Sequence, residues 1–330
     1  MLNPKLKLNP KVLGDDCEQE PIRKGFGRGL LSSGEKDSSI VALCADLTES
    51  TQMHLFKERF PERFVEIGVA EQNLVAVSSG MSAMGKYPFC SSYAMFSPGR
   101  NWEQIRTTIC YNDRGVCIVG SHAGISVGPD GGTHQALEDI SLMRVLPNMI
   151  VVSPCDSIEA EKATEEIAKL KRPVYLRLAR EKTGIITTKE TPFKIGKGEI
   201  FFASDGLPNV GIIATGSLVR NAILAAKALE KKGIKSKVLN ISTIKPLDEE
   251  AVLTLAKETR AIVTIEEHQI AGGLGSAVSE LLGERLPTRI KRLGINDEFG
   301  QSGKPEELLK FYGLDEEGIK NSILDFVGNR

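Results

Sequence analysis

The chain has 330 residues, 41% of them hydrophobic and 26% charged, and its 42 basic and 43 acidic side chains leave a formal net charge of -1. That balance excludes a disordered polyelectrolyte, a basic nucleic-acid surface and a cationic membrane-surface helix, which leaves small molecules and other proteins as partners. The length exceeds one ordinary hydrophobic core and predicts two domains.

The N-terminal stretch MLNPKLKLNPKVLGDDCEQEP lacks the apolar core of a signal peptide, and no apolar run reaches the ~18 residues that span a bilayer, so no membrane partner and a cytoplasmic location are expected. Cys17, Cys44, Cys90, Cys110, Cys117 and Cys155 stand singly, without CxxC spacing, and are expected to be buried thiols in a reducing compartment.

From Ser39 onward, short β-branched or apolar runs alternate with stretches of helical period, which predicts an α/β class with parallel or mostly parallel sheets wrapped by helices. In chain order, strands are expected at 39–46, 63–68, 115–121, 148–154 and 173–178. Helices are expected at 70–84, near 102–112, over 135–146 and over 157–171, the last carrying Glu/Lys pairs at supporting spacing. Residues 181–200, rich in Thr, Lys and Gly without apolar period, contain the expected boundary: a first domain over 1–185, a linker at 186–194 and a second domain over 195–330. The second domain again alternates, with strands at VGIIAT, KSKVLNI, AIVTIEE and TRIKRLGI and helices after Ser217, Asp248 and Gly272.

The strongest chemical signal is EIGVAEQN at 66–73, where a strand turns directly into an apolar-faced helix and places Glu71 in its first turn. Acidic residues favour helix N-termini for dipole reasons alone. In an apolar setting, however, a carboxyl group is also tuned to share a proton with a heterocyclic nitrogen. SYAMFSPGRNW sets Tyr93 and Phe96 three apart, either as core packing or as flat walls for a ring. SHAGISVGPDGGTHQ carries His122, Asp130 and His134 in a Gly-rich loop after a strand, where α/β sheets bind ligands. The spacing of the two histidines is not that of close metal ligands and suits proton transfer to hydroxyl groups better. LRLAREKT ends a strand with Arg177 and Arg180, either a solvated terminus or a clamp for an anion.

Taken together, CADLTES, GVAEQN, SYAMFSPGRNWEQIR and SHAGISVGPDGGTHQALEDISLMRVLPNM resemble the pyrimidine-binding half of transketolase, and the resemblance covers nearly the whole chain. It implies thiamine diphosphate as cofactor, with Glu71 on N1′ of the aminopyrimidine ring and Tyr93 and Phe96 stacked on that ring. It also implies that His122 and His134 line the substrate channel and act catalytically, that Asp130 contacts a substrate hydroxyl, and that Arg180 and Ser50 hold the substrate phosphate. Many members carry a third aromatic within an uninterrupted helix, where this chain has SPGRN and then Trp102.

Whole transketolases hold the cofactor diphosphate and a divalent cation with a GDG motif followed by an NN-type motif. GDD at 14–16 and SDG at 204–206 do not match that pattern. No metal ligands are therefore assigned to this chain. Mg2+ or Ca2+ and the diphosphate are expected on a separate N-terminal-type subunit, in an α2β2 assembly that moves a two-carbon ketol unit between sugar phosphates. Other expectations within the superfamily are a deoxyxylulose-phosphate synthase half or a 2-oxo-acid dehydrogenase beta chain, against which HAGIS speaks. A non-catalytic scaffolding paralogue is a further alternative, against which the intact set of Glu71, His122, Asp130 and His134 speaks. AGGLG at 271–275 and ATGS at 214–217 are expected to be tight turns, and His268 has no assigned role.

Overall fold

A computed structural model describes residues 1–328. Its first half runs β1 (Gln19–Pro21), α1 (Ile22–Lys36), β2 (Ile40–Cys44), α2 (His54–Arg59), β3 (Phe64–Glu66), α3 (Glu71–Ala83), β4 (Tyr87–Tyr93), α4 (Trp102–Gln104), β5 (Cys117–Ser121), α5 (Asp139–Arg144), β6 (Ile150–Val152), α6 (Ser157–Leu170), β7 (Val174–Arg177) and β8 (Lys182–Gly184). The second half runs β9 (Glu199–Ala203), β10 (Val210–Ala214), α7 (Val219–Glu230), β11 (Ser236–Asn240), β12 (Thr243–Lys245), α8 (Glu249–Glu258), β13 (Ile262–Gln269), α9 (Leu274–Arg285), β14 (Ile290–Ile295), α10 (Pro305–Phe311) and α11 (Glu316–Gly328). Every strand and helix expected from the sequence is present, with a π-helical turn over Ile105–Cys110 extending the short α4.

Two α/β sheets result. The first has the order β12-β6-β7-β5-β4-β2-β3 and the second β14-β13-β10-β11-β9, while β1 and β8 form a separate antiparallel pair. All pairings within the two large sheets are parallel except β12 with β6 and β9 with β11. Buried parallel strands read as continuous apolar runs, and IVALC, CIVGS and VGIIA are fully buried along their length.

One face of the first sheet is covered by α1, α2 and α6, through Phe26, Leu30, Phe56, Ala160 and Ile167. Its other face shares a single cluster with the second sheet, in which Leu43, Ile118 and Tyr175 meet Ile213, Ile262, Leu274 and Val278. The outer face of the second sheet is covered by α7 and α11 and by the start of the chain, where Leu6, Leu8 and Val12 pack with Phe202, Val219 and Ile223. The stretch 186–194 is bound rather than loose. The Asp156 carboxylate accepts from the backbone N–H of Ile186 at 2.8 Å and of Thr187 at 2.6 Å.

Helix α1 was not legible as a helix because four glycines lower its propensity. The glycines serve close packing on α6: a Cβ on Gly25 would lie 1.7 Å from the Ser157 carbonyl oxygen. Among the described residues no helix is long and apolar enough to cross a membrane, and all six cysteines are free and buried.

Candidate active site

Parallel strands β2, β4, β5 and β7 all end at one edge of the first sheet, and the loops leaving that edge carry Ser50, Tyr93 to Arg100, His122 to His134, and Arg180. This is the edge at which open α/β sheets bind ligands. The turn after β3 delivers Glu71 as the first residue of α3, with its side chain 4% exposed.

Both carboxylate oxygens of Glu71 accept from Nη1 of Arg100, at 2.9 and 3.0 Å. The same guanidinium lies 4.1 Å from the centre of the Phe96 ring, a cation–π distance. Asn101 donates from Nδ2 to the Glu71 carbonyl oxygen at 2.9 Å and to Ser97 Oγ at 3.1 Å, while its buried Oδ1 has no partner. The sequence alone did not single out Arg100 or Asn101. Their only signal is the break SPGRN, which bends the chain back onto the start of α3.

The rings form one cluster. Tyr93 stacks on His122 at 4.0 Å and on Phe96 at 6.2 Å, and His134 meets Phe96 edge-on at 5.3 Å. His122 is 4% exposed, with Nδ1 2.8 Å from Ser121 Oγ, and has a left-handed φ of 58°. Few non-glycine residues adopt such a backbone outside constrained sites. Burial, reinforced by the guanidinium groups of Arg23 and Arg180, lowers its pKa from 6.5 to about 3, so the imidazole is neutral at neutral pH. His134 is half-buried, with Nδ1 3.0 Å from Thr133 Oγ1.

Arg180 donates from Nη1 to the Val127 carbonyl oxygen at 2.5 Å and faces Asp130 and Glu181, each at 3.6 Å. Arg23, on α1, donates to the Arg180 carbonyl oxygen. Ser50 stands in the turn after β2 and makes no side-chain hydrogen bond to the others among the described residues. Its loop is anchored by the Glu66 carboxylate, which accepts from Asp46 N at 2.7 Å and Thr48 Oγ1 at 3.0 Å.

Other sequence candidates resolve into structural roles. Arg177 is buried and paired with Asp139 through Nε at 2.7 Å and Nη2 at 3.2 Å, so its guanidinium is turned inward, away from any anion at the sheet edge. Trp102 donates from Nε1 to the Leu142 carbonyl oxygen at 2.8 Å. His268 is buried, with Nδ1 2.7 Å from the Gln269 carbonyl oxygen. The helix after AGGLG already holds an anion of its own chain, because Glu266 accepts from Leu274 N at 2.7 Å and Gly275 N at 2.8 Å.

The donor set fits one end of thiamine diphosphate. A carboxylate at the mouth of a helix, joined through Arg100 to the flat face of Phe96 and followed by the orphaned Asn101 Oδ1, suits an aminopyrimidine ring. No group of three His, Cys, Asp or Glu side chains that could hold a metal occurs among the described residues.

Two stacked α/β domains, with a glutamate, two aromatic rings and two histidines gathered at one sheet edge, define a class of α/β protein with a candidate site at the first sheet. Residues 19–185 match the family model for the transketolase pyrimidine binding domain, and residues 204–319 match that for the transketolase C-terminal domain. A Methanocaldococcus jannaschii protein named as a transketolase C-terminal section is 45% identical over 92% of this chain and 95% of its own length. A subunit of 6-deoxy-6-sulfo-D-fructose transketolase from Clostridium sp. strain MSTE9 is 40% identical over 90% of this chain and 91% of its own. The transketolase of Homo sapiens is 35% identical over 92% of this chain but only 49% of its own. Among solved structures, a split gene transketolase described as an inactive beta4 tetramer superposes with a TM-score of 0.86 at 40% identity, covering 93% of this chain and 98% of that one. The chain belongs to the transketolase family.

Proposed function

We propose that this chain is the C-terminal subunit of a split transketolase. In this reading it transfers a two-carbon ketol unit from a ketose phosphate to an aldose phosphate together with an N-terminal subunit. The observation that carries the reading is Glu71, buried at the start of α3 and joined through Arg100 to the face of Phe96. Thiamine diphosphate, when bound, supplies the nucleophilic carbon and the electron sink of the reaction.

The chain's own residues do the rest. Glu71 holds the proton at N1′ of the aminopyrimidine, and Phe96 with Tyr93 forms the wall against which the ring lies. His122, kept neutral by burial, accepts or donates a hydrogen bond to a substrate oxygen without presenting a charge. Half-buried His134 is placed to move a proton, and Asp130 takes a sugar hydroxyl. Arg180 is a planar donor at the sheet edge that a phosphate can recruit from its weaker partners at 3.6 Å, with Ser50 across the edge as a hydroxyl donor.

The diphosphate and its Mg2+ or Ca2+ are assigned to the partner subunit, in an α2β2 complex. Two features support that division: the match to about half the length of the human enzyme, and the likeness to a split gene transketolase described as an inactive beta4 tetramer.

The test is ketol transfer from xylulose 5-phosphate to ribose 5-phosphate with thiamine diphosphate and Mg2+, using the chain alone, with an N-terminal-type subunit, and with Glu71→Ala in the mixture. Activity only in the wild-type mixture is expected. Activity of the chain alone, or an undiminished Glu71→Ala mixture, would overturn the proposal.

A further inference from the structure

The second domain contributes none of the residues assigned above, yet one of its carboxylates reaches into the loop that carries three of them. Glu267, 2% exposed near the end of β13, accepts from the backbone N–H of Ser126 at 2.5 Å and from Ser217 Oγ at 2.6 Å. Its own backbone carbonyl accepts from Nη2 of Arg177 at 2.8 Å, so the residue is fixed from both ends. The approach is possible only because Gly124 has no side chain: a Cβ there would lie 2.4 Å from Glu267 Oε1, and its φ of 88° already disfavours any other residue.

Further along the same loop the second domain closes in again. Gln135 donates from Nε2 to the Gln301 carbonyl oxygen at 3.0 Å, and a Cβ on Gly131 would meet Ser302 Oγ at 2.5 Å. The glycines of GISVGPDGG thus admit a neighbouring domain, which differs from the phosphate-cradling role that such a run invites.

We propose that Glu267 is a positioning residue for the His122–His134 loop, through which the second domain sets the geometry of the substrate-facing side chains. A buried acceptor shared between a loop amide and a hydroxyl of another element fixes their separation, and its removal leaves the buried Ser126 amide without a partner and frees the part-buried Ser217 hydroxyl. Asp130 and His134 follow Ser126 on the same loop, where Arg180 faces Asp130 and Phe96 meets His134, so loss of the Glu267 anchor loosens the loop between 124 and 131 first and shifts these two side chains against those contacts. Glu71 and Phe96 stand on other segments and do not shift. For its catalytic consequence the inference rests on the ketol-transfer reading; for its structural part it does not.

The test compares Glu267→Ala, Glu267→Gln and Ser217→Ala. Gln keeps an acceptor for Ser126 N and can donate to Ser217 Oγ, so it serves as the conservative rescue. In the full chain, hydrogen exchange at amides 124–131 is expected to rise about tenfold in Glu267→Ala, less in Ser217→Ala, and to stay within about twofold in Glu267→Gln. In the reconstituted complex, Glu267→Ala is expected to raise KM for the ketose phosphate about tenfold while the Kd for thiamine diphosphate is unchanged.

Unchanged loop exchange in Glu267→Ala, equal exchange in the Ala and Gln variants, or a parallel weakening of cofactor and sugar would each overturn the assignment. If Glu267→Ala fails to fold, Ser217→Ala decides, and unchanged exchange in that variant counts against it. A wild-type complex with no ketol transfer would sink the proposed function while leaving the exchange result to decide Glu267.

Discussion

Arg100 lies over the ring of Phe96 with its guanidinium bonded to both carboxylate oxygens of Glu71, so one side chain spans the two groups assigned to the aminopyrimidine. In the proposed function the aminopyrimidine lies between these same two groups and must displace this planar cation. Arg100 is half exposed, so the ion pair contributes up to about 1 kcal/mol and the cation–π contact about as much again. Displacing it would weaken cofactor binding by about ten- to thirtyfold. Arg100→Ala is therefore expected to tighten thiamine diphosphate binding to the two-subunit complex by about that factor, measured by titration calorimetry. Weaker binding in the variant would mean that Arg100 contacts the bound cofactor instead.

The depressed pKa of His122 gives a pH dependence of defined sign. The unfolded chain takes up the imidazole proton near 6.5 and the native chain only near 3, so between these values the unfolded state binds more protons and stability falls as pH is lowered. The slope is at most about 1.4 kcal/mol per pH unit. Asn tolerates the left-handed backbone at this position, so His122→Asn is the suitable comparison. In urea unfolding, wild type should lose up to about 2 kcal/mol more than His122→Asn between pH 6.5 and pH 5. Parallel losses would show that the native site accepts the proton.

Arg177 and Arg180 stand three residues apart and should separate cleanly by kinetics. Arg180→Ala is expected to raise KM for phosphorylated sugars by at least about tenfold, with little effect on an unphosphorylated ketose. Equal effects on both kinds of sugar would remove Arg180 from the phosphate site.

For Arg177 the loss should appear in stability. Arg177→Met leaves the buried Asp139 carboxylate without its cation, which costs about 3–5 kcal/mol. The double variant Arg177→Met/Asp139→Leu should recover much of that loss. Urea midpoints of the single and double variants check the pair, and a single variant as stable as wild type would show that Asp139 finds another partner.

The sequence announced the alternation of strands and helices and the loops that leave the sheet edge, because buried parallel strands are continuous apolar runs and their loops carry the polar residues. Strand β4 escaped notice because KYPFCSSY contains Pro88, which argues against a central strand, and two serines that interrupt the apolar run. Helix α1 hid behind glycines whose purpose lies on α6. Within the candidate site, Glu71, Tyr93, Phe96, His122 and His134 stand out from their motifs. The partners that define their state do not: Arg100 is 29 positions from Glu71, and Arg177 finds Asp139 38 positions away. A sequence shows which residue types stand near one another along the chain, whereas these pairs are made by the packing of separate elements.

The two halves of the molecule each hold a piece of the other. Strand β12 leaves the second half to pair with β6 of the first sheet, and Leu6, Leu8 and Val12 from the start of the chain fill the core around the second sheet. A single nick between 186 and 198 would therefore release neither half, and fragments made separately would each lack part of their own interior. Co-expressed, the same fragments carry the missing strand and the missing apolar segment to one another, so the molecule is suited to complementation and ill suited to dissection.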